Sequence, residues 1–322
     1  MASKVTVIGT GNFGSTVAFI LAMRGSCHEV VLRGRNINVA KGKALDMSQA
    51  ANAAREHTIV RAAEGPEDMV DSQVVVITAG APRTPGMSRD DLLTKNAEIV
   101  KKYSLEIKKY APKAIVVVVS NPLDVMTYVV HKYTGFPRER ILGMAGILDA
   151  ARMAHFIYEK LGYGAGQIRA TVMGGHGDTM VPLPKFTTVA GVPVEDLFDS
   201  EEIGEIVKKT KNGGAQIVNL LGDGSAYYAP AKSTAVMVDA ILKDTKQIHS
   251  CAVMLQGEYG YSNVVSGVPA MIGAGGAEQI IQMTLKTLQI TRFKNSVAAV
   301  QEMLDTLYAA KFFDDVESNN GK

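Results

Sequence analysis

One of the six histidines, His176, differs from the others in its immediate neighbours. It lies in the segment MGGHGD, with glycines at positions 174, 175 and 177. Because glycine has no side chain, a ligand could approach this imidazole closely. Imidazole gains and loses a proton near neutral pH, which makes His176 a candidate catalytic residue. The alternative is a structural histidine, the commoner role for a lone histidine.

A carboxylate and an arginine follow each other at helical spacing. Asp149 and Arg152 lie three residues apart in LDAAR, where a helix is predicted, so they share one helix face. They could serve a ligand, or they could form an ordinary surface ion pair. Asn121 precedes Pro122 at the end of a predicted strand. Its amide could orient a substrate hydroxyl or carbonyl, or it could simply form a turn.

A loop with two further arginines follows the fourth predicted strand. The segment APRTPGMSR holds Pro82, Pro85 and Gly86, which predict an exposed loop that can hinge as a unit. It carries Arg83 and Arg89 at the carboxyl end of the predicted sheet, where ligands bind in folds of this kind. Solvated surface arginines are the alternative interpretation.

A glycine-rich turn near the N-terminus predicts a dinucleotide site. GTGNFG, residues 9–14, follows the first predicted strand and opens the first predicted helix. Gly9 would permit the tight turn, Gly11 the approach of a pyrophosphate, and Gly14 close packing of helix on strand. The amides and dipole at the helix N-terminus would favour the phosphate charge. This position between strand and helix favours cofactor binding over a plain turn.

The acid that usually accompanies such a motif is missing. An Asp or Glu is expected about 20 residues on, where it would accept hydrogen bonds from the adenosine ribose. The strand EVVLR instead runs into Gly34, with Arg33 and Arg35 on either side. Without a carboxylate, the two arginines could bind the 2′-phosphate of NADP. The sequence therefore predicts NADP use or dual specificity; alternatively, one arginine points away and the other stacks on the adenine.

The elements that would position these residues alternate between strands and helices in the first half. The runs VVVIT and AIVVVVS are apolar throughout, which indicates strands buried on both faces of a parallel sheet. The alternation predicts an α/β fold with a Rossmann-type doubly wound sheet. The predicted strands are Val5–Ile8, Val30–Arg33, Thr58–Arg61, Val74–Thr78, Ile115–Ser120 and Arg140–Leu142, with helices such as Phe13–Met23 and Leu92–Tyr110 between them.

The second half has a different pattern and predicts a C-terminal α+β catalytic domain. We expect a dinucleotide-binding domain over residues 1–145 and a substrate domain over residues 146–322, packed together because no Pro/Gly/Ser-rich linker separates them. The polar tail after Phe313 is expected to fray. The predicted helices are Leu148–Leu161, Glu201–Leu221, Ala229–Leu242 and Asn295–Ala310, and the predicted strands lie near Ile168–Met173, Ser250–Leu255 and Val264–Ile272.

Composition argues against several classes of function. Lysine and arginine (34) nearly balance aspartate and glutamate (32), so at a net charge of +2 we expect neither nucleic acid nor a membrane surface as a partner. The longest aliphatic run, Ala114–Val119, is too short for a membrane span, and a strand near the N-terminus leaves no room for a signal peptide. Two cysteines predict reduced thiols and a cytoplasmic location. The scattered histidines and cysteines predict no metal site.

Five segments together resemble the lactate/malate dehydrogenase family over nearly the whole chain. They are GTGNFG, TAGAPRTPGMSRDDLL, SNPLDVMTYV, GILDAARM and GGHGDTMVPL, and they stand in the family's order and spacing. The phrases GKALDM, GGHGDTMVPLP and GSAYYAP are most similar to the lactate-dehydrogenase-like malate dehydrogenases of bacteria and archaea. The departure from the family pattern is Gly34, where that branch normally carries Asp.

The resemblance implies a role for each candidate. His176 would take the hydroxyl proton of (S)-malate while hydride leaves C2 for NAD or NADP, and in reverse it would protonate oxaloacetate. Asp149 would hold the imidazole tautomer, and Arg152 would bind the C1 carboxylate through a two-pronged pair. Arg89 would polarise the reacting carbonyl after the loop closes, and Asn121 would help to orient the substrate. The residues expected to line the cofactor are Gly9, Gly11, Asn12, Phe13, Gly14, Arg33, Gly34, Arg35, Thr78, Ala79, Gly80, Asn96, Ser120 and Asn121.

Within the family, the residue at the position of Arg83 distinguishes the substrates. A neutral Gln there goes with lactate and pyruvate, whereas an Arg goes with the second carboxylate of malate and oxaloacetate. A buried cation left unpaired by the methyl group of pyruvate would be costly, so malate is favoured. A lactate dehydrogenase and a non-catalytic dinucleotide-binding protein are the alternatives. The family likeness also implies a homodimer or a homotetramer.

Overall fold

Strands and helices alternate through the first half of the chain, as the sequence predicts. The computed structural model describes residues 3–81, 88–222 and 224–317, except for the side chain of Arg89. The N-terminal elements are β1 (Lys4–Ile8), α1 (Asn12–Met23), β2 (Glu29–Arg33), α2 (Ile37–Ala53), β3 (Ile59–Ala62), β4 (Val74–Ile77), α3 (Arg89–Tyr110), β5 (Ile115–Val118), α4 (Leu123–Thr134) and β6 (Ile141–Gly143).

Strands β1 to β6 form a parallel sheet in the order β6–β5–β4–β1–β2–β3. Every residue of β4 and β5 is buried. Since alternate side chains of a strand point to opposite faces, this burial requires cover on both faces of the sheet. The doubly wound parallel sheet predicted from the apolar runs is confirmed.

The second half begins with a long helix and then contains several short strands. Its elements are α5 (Ala145–Leu161), β7 (Ile168–Arg169), β8 (Val172–Met173), β9 (Val181–Pro182), β10 (Thr188–Val189), β11 (Val192–Pro193), α6 (Ser200–Leu221), α7 (Tyr228–Leu242), β12 (Gln247–Gln256), β13 (Ser262–Gly273), β14 (Gly276–Ile280), α8 (Thr287–Ala309) and α9 (Asp314–Glu317).

Strands β12, β13 and β14 extend the first sheet rather than forming a separate one. The join is an antiparallel pairing of β12 with β6, in which Ala252 lies opposite Gly143. A Cβ on Gly143 would lie 2.9 Å from that of Ala252, so glycine allows the two strands to approach. The expected domain boundary after residue 145 falls at the first residue of α5, two residues beyond the end of β6, and stays a prediction. The sheet itself continues across it.

Several element ends differ from the sequence predictions; α5, for example, begins at Ala145 rather than Leu148. Helix α3 begins at Arg89 rather than Leu92, because Ser88 and Asp91 cap it reciprocally, each side chain accepting from the other's backbone N–H. Helix α8 begins at Thr287, eight residues before the predicted start at Asn295. The tail predicted to fray forms α9 over residues 314–317, and Lys101 Nζ lies 2.7 Å from Asp315 Oδ2 there.

The turns that carry the candidate residues meet at one edge of the parallel sheet. Residues 9–14, 34–36, 78–81 and 120–121 follow β1, β2, β4 and β5, and the carboxyl ends of parallel strands share an edge. Among the described residues, no helix is both long enough and apolar enough to cross a membrane.

Candidate active site

His176 and Asp149 form a hydrogen-bonded pair. Nδ1 of His176 lies 2.9 Å from Oδ2 of Asp149, which projects from α5 and is 1% exposed. Burial alone would lower the pKa of the imidazole, but the charge and hydrogen bond of Asp149 prevail, and the pKa of His176 is raised above its ordinary value. With Nδ1 engaged by the carboxylate, Nε2 is the ring nitrogen left to exchange a proton with a ligand.

The glycines around His176 serve packing as well as access. Gly174 N–H donates to the carbonyl of Gly267 on β13 at 2.8 Å, with a left-handed φ of +81°. A Cβ on Gly174 would lie 2.6 Å from Ser296 Oγ of α8, so no side chain fits there. Gly177 differs, because a Cβ on it would have nothing within 4 Å. The glycines were predicted to let a ligand approach His176. Of these two glycines, Gly177 has open space beside it and Gly174 does not.

A second buried carboxylate holds the same loop. Asp124, in the first turn of α4, accepts a hydrogen bond from the backbone N–H of His176 through Oδ2 at 2.8 Å. Sequence analysis did not single it out, because 52 residues separate the partners and an acid in the first turn of a helix is common. Its position two residues after Pro122, at the carboxyl edge of the sheet, was the available signal.

Arg152 binds Asp149 one helical turn along α5. Nη1 of Arg152 lies 3.2 Å from Oδ1 of Asp149, so the pair predicted from the spacing forms, but both side chains are largely buried. Nε of Arg152 is buried without a hydrogen-bond partner in the described part of the chain. A buried guanidinium with a donor to spare is suited to receive a carboxylate.

Two glycines in the middle of α6 adjoin this guanidinium. A Cβ on Gly214 would lie 3.3 Å from Nη2 and 3.4 Å from Nη1 of Arg152. Glycine inside a helix costs about 1 kcal/mol relative to alanine, so α6 forgoes stability here and leaves room for the arginine. Sequence analysis missed this contact, although the pair Gly213–Gly214 within a predicted helix was a signal for it.

His176, Arg152 and Gly214 line a cavity of about 460 Å³ whose walls come from both halves of the chain, whereas Asp149 and Asp124 lie behind this lining. Such a volume suits a small-molecule site. Lys211 of α6 also lines the cavity, with Nζ 3.5 Å from the carbonyl of Asp178, and it was not predicted. The predicted site residues that line the cavity are Phe13, Thr78, Gly80, Asn96, Ser120, Asn121, Arg152 and His176.

Asn96 ties together the turns after β4 and β5. This buried amide accepts from Ala81 N–H through Oδ1 at 2.7 Å and donates from Nδ2 to the carbonyl of Asn121 at 2.8 Å. Ser120 Oγ donates to the carbonyl of Ala79 at 2.5 Å. These contacts fix the backbone of two turns that line the cavity.

The glycine-rich turn has the geometry that a pyrophosphate needs. Gly9 has a φ of +117°, and a Cβ on Gly14 would collide with the carbonyl oxygen of Gly9. A Cβ on Gly11 would meet nothing within 4 Å, so the backbone there is open to a ligand. Helix α1 begins at Asn12 without a side-chain cap, which leaves its first N–H groups for an anion. The turn therefore fits a dinucleotide, with Phe13 on the cavity wall.

Thr10 fills the space beside Gly34. A Cβ on Gly34 would lie 2.7 Å from Cγ2 of Thr10 and closer still to its Oγ1. Lys43 of α2 contacts the same turn, since Nζ donates to the carbonyl of Thr10 at 2.7 Å and to Ser15 Oγ at 2.9 Å. Arg35 is exposed. No carboxylate pairs with Lys43 or Arg35 among the residues that the structure describes, so this end of the site is cationic.

Arg33 is already paired with a carboxylate. Its Nη2 and Nε lie 2.7 Å and 3.0 Å from Oε2 of Glu106 on α3, and its guanidinium lies over the Tyr103 ring. Arg35 and Lys43 are therefore the cations left for a phosphate at this end. Lys43 and Thr10 are not among the residues predicted from the sequence to line the cofactor.

The two loop arginines are not described by the structure. Arg83 lies within residues 82–87, outside the described ranges, and the side chain of Arg89 lies outside them as well. Their roles stay predictions. In the described residues, no group of three or more His, Cys, Asp or Glu side chains could hold a metal ion.

Comparison with known proteins assigns the chain to a family. The model of the lactate/malate dehydrogenase NAD binding domain matches residues 3–143, and that of the lactate/malate dehydrogenase alpha/beta C-terminal domain matches residues 147–310. The chain belongs to the lactate/malate dehydrogenase family. Its relatives in the family include the malate dehydrogenase of Sulfurimonas denitrificans, 63% identical over 98% of both chains, and that of Nitratiruptor sp., 56% identical over 98% of this chain and 99% of the relative.

Solved structures of the family resemble this chain whichever substrate they are named for. Malate dehydrogenase from Salinibacter ruber has a TM-score of 0.91 at 43% identity and covers 99% of this chain and 100% of its own. Lactate dehydrogenase from Eimeria maxima with NADH and oxamate has a TM-score of 0.93 at 35% identity, and the match covers 98% of this chain and 96% of that one. The backbone alone thus does not separate malate from lactate dehydrogenases.

Proposed function

We propose that this chain catalyses the reversible oxidation of (S)-malate to oxaloacetate with a nicotinamide dinucleotide. The observation that carries the proposal is the His176–Asp149 pair: His176 lines one cavity together with Arg152 and with Phe13, which belongs to the glycine-rich turn. The relatives named malate dehydrogenase, at up to 63% identity over nearly the whole chain, support malate as the substrate.

In this proposal His176 is the acid–base group. Nε2 takes the hydroxyl proton of malate in one direction and returns a proton to the oxygen of oxaloacetate in the other. Asp149 fixes the tautomer through Nδ1 and stabilises the imidazolium that forms, which agrees with the raised pKa of His176. The dinucleotide, when bound, supplies the acceptor for the hydride of C2.

Substrate orientation is assigned to Arg152 and Asn121. The Nε donor of Arg152, without a protein partner among the described residues, suits it to bind the C1 carboxylate, and Asn121 lies on the wall of the same cavity. Arg83 would bind the second carboxylate, and Arg89 would polarise the carbonyl. These two assignments rest on the resemblance of the loop alone.

The first test measures oxaloacetate-dependent oxidation of NADH. We expect His176→Asn to lower kcat by about 10³-fold, since the acid–base group is lost, while NADH still binds as judged by fluorescence titration. His155→Asn is the matched control, because His155 is exposed on α5 and should keep parental activity. A parent that binds NADH but does not oxidise it with oxaloacetate would instead be the non-catalytic alternative.

The second test concerns substrate choice. In Arg83→Gln the ratio of kcat/KM for oxaloacetate to that for pyruvate should fall by about 100-fold, because the second carboxylate loses its cation. An unchanged ratio would remove Arg83 from the proposal. A parent that prefers pyruvate would indicate a lactate dehydrogenase.

We also propose that the cofactor site accepts NADP as well as NAD. The family model describes an NAD binding domain, and the glycine-rich turn fits the pyrophosphate common to both cofactors. At Gly34 no acid repels a 2′-phosphate, and Arg35 and Lys43, which pair with no carboxylate among the described residues, could bind one.

Finally, we propose a homodimer or homotetramer located in the cytoplasm. Large apolar side chains are exposed on α1, α2 and α7, for example Phe19, Leu45 and Tyr228, and an oligomer would cover such surfaces. Cys27 and Cys251 are free and buried, as suits a reducing compartment. Size-exclusion chromatography with light scattering tests the subunit number.

A further inference from the structure

We propose that Asp124 is a positioning residue for this reaction: its carboxylate holds the backbone of His176 and adds a second negative charge beside the imidazole. The inference rests on the proposed function, because it concerns the same histidine. It adds a residue from α4 to a proton-transfer group otherwise drawn from α5 and the loop after β8.

The contact fixes the loop at the reactive residue itself. Asp124 Oδ2 accepts from His176 N–H at 2.8 Å. A Cβ on the preceding Gly175 would lie 3.3 Å from that same oxygen, so the loop backbone packs directly on the carboxylate. The other neighbours at this point, Thr179 and Val300, are uncharged. A shift of Asp124 would therefore move the backbone from which the imidazole projects.

The hydrogen bond to His176 alone does not explain why position 124 carries a carboxylate rather than an amide. Asp124 is 4% exposed, and its Oδ1 is buried without a partner from another residue of the described chain. Burial raises the pKa of Asp124 to about 6, although the hydrogen bond and charge of His176 act in the opposite direction. Asparagine would make the same hydrogen bond through its amide oxygen and avoid the cost of burying a charge. We therefore infer that the negative charge of Asp124, and not only its hydrogen bond, has a role.

His176 is the group that this charge can serve. Asp149 and Asp124 both raise the pKa of His176, while Arg152 lowers it. When the imidazole takes up the proton of malate, it becomes a cation hydrogen-bonded to Asp149, and the charge of Asp124, bonded to the same residue's backbone N–H, also lowers the free energy of that state. Among the described residues, the other charged side chains on the cavity lining are those of Asp178 and Lys211.

The test compares pH profiles in Asp124→Asn and the parent enzyme. Without the charge of Asp124 the pKa of His176 falls. Malate oxidation needs neutral imidazole, so the acid limb of its kcat/KM profile should move to lower pH by about half a unit. Oxaloacetate reduction needs the imidazolium, so its alkaline limb should move in the same direction. At pH 8 the rate of reduction should fall by up to about threefold, with little change in KM.

A stability measurement separates this role from a purely structural one. At pH 7.5 the Tm of Asp124→Asn should equal or exceed that of the parent, because a buried charge is removed while the hydrogen bond to His176 is kept. Asp124→Ala should lower the Tm, since the His176 N–H loses its partner. A second uncharged variant, Asp124→Ser, should show the same pH shift as Asn, and it carries the test if the Asn variant does not fold.

The control is Asp239→Asn, which removes another largely buried carboxylate, on α7. It pairs with Arg24, directly after α1, and with Lys243, and it is not among the described residues that line the cavity. In this variant the acid limb of malate oxidation and the alkaline limb of oxaloacetate reduction should lie at the same pH as in the parent. Parental limbs in the two Asp124 variants, or an equal shift in Asp239→Asn, would overturn the inference. An inactive parent would instead contradict the proposed function, so the two failures are distinguishable.

Discussion

The two ends of the candidate site are built in different ways. At the reaction end, Asp149 contacts both His176 and Arg152, Asp124 holds the loop, and all of these groups are largely buried. At the adenosine end, Arg35 is exposed, and Thr10 only fills the space that a side chain at position 34 would need.

Because of this difference, we expect substitutions to be tolerated better at the adenosine end than at the reaction end. Truncation of Asp149 at the reaction end breaks two buried contacts at once and leaves both His176 and Arg152 without their carboxylate partner. A substitution at the adenosine end changes few contacts and leaves the sheet untouched. A change in cofactor preference at position 34 would therefore leave the contacts of His176, Asp149 and Arg152 unaltered.

The largest effect is expected from Asp149→Asn. It removes the charge that raises the pKa of His176 and frees the imidazole to adopt the wrong tautomer, so kcat/KM for oxaloacetate should fall by about 10³-fold or more. The alkaline limb of reduction should move to lower pH. If kcat/KM, measured by steady-state kinetics, fell by less than about tenfold, catalysis would depend less on the Asp149–His176 contact than we expect.

A smaller effect is expected when the missing acid is restored. Gly34→Asp alone would collide with Thr10, so the informative variant combines it with Thr10→Ala, which leaves a Cβ contact of 3.1 Å. The ratio of kcat/KM for NADPH to that for NADH should fall by about 10- to 100-fold, since the acid repels a 2′-phosphate and binds a ribose hydroxyl. The value of kcat with NADH should be nearly parental.

Thr10→Ala alone is the matched control and should keep the parental cofactor ratio. Arg35→Ala should also lower the ratio, through loss of a phosphate-binding cation. If the parent already prefers NADH by more than about tenfold, the adenosine end is no more permissive than in an NAD enzyme with its acid in place.

The smallest effect is expected from Gly214→Ala. Alanine should stabilise α6 by about 1 kcal/mol, yet its methyl group would press on the guanidinium of Arg152 and raise KM for oxaloacetate about three- to tenfold. On the same helix, a Cβ at Gly204 would have nothing within 4 Å. Gly204→Ala should therefore stabilise α6 by a similar amount without raising KM for oxaloacetate. Equal kinetics in the two variants would mean that Gly214 does not shape the site.

Much of this arrangement could be predicted before the structure. Apolar runs such as Val74–Ile77 predict buried parallel strands because a strand covered on both faces has no polar side, and the sheet order places their turns together. The spacing of Asp149 and Arg152 predicts their pairing, since a helix repeats every three to four residues. These inferences rest on local periodicity and on motif order.

The sequence by itself determined the family, the doubly wound sheet, the glycine-rich turn and the missing acid at position 34, because each is a local pattern. Only the tertiary structure decided which side chains meet across the chain. Asp124 contacts His176, Glu106 pairs with Arg33, and Thr10 packs on Gly34 across gaps that carry no periodic signal. Burial decided the rest, since it turns the Asp149–Arg152 spacing from a surface ion pair into part of a buried site.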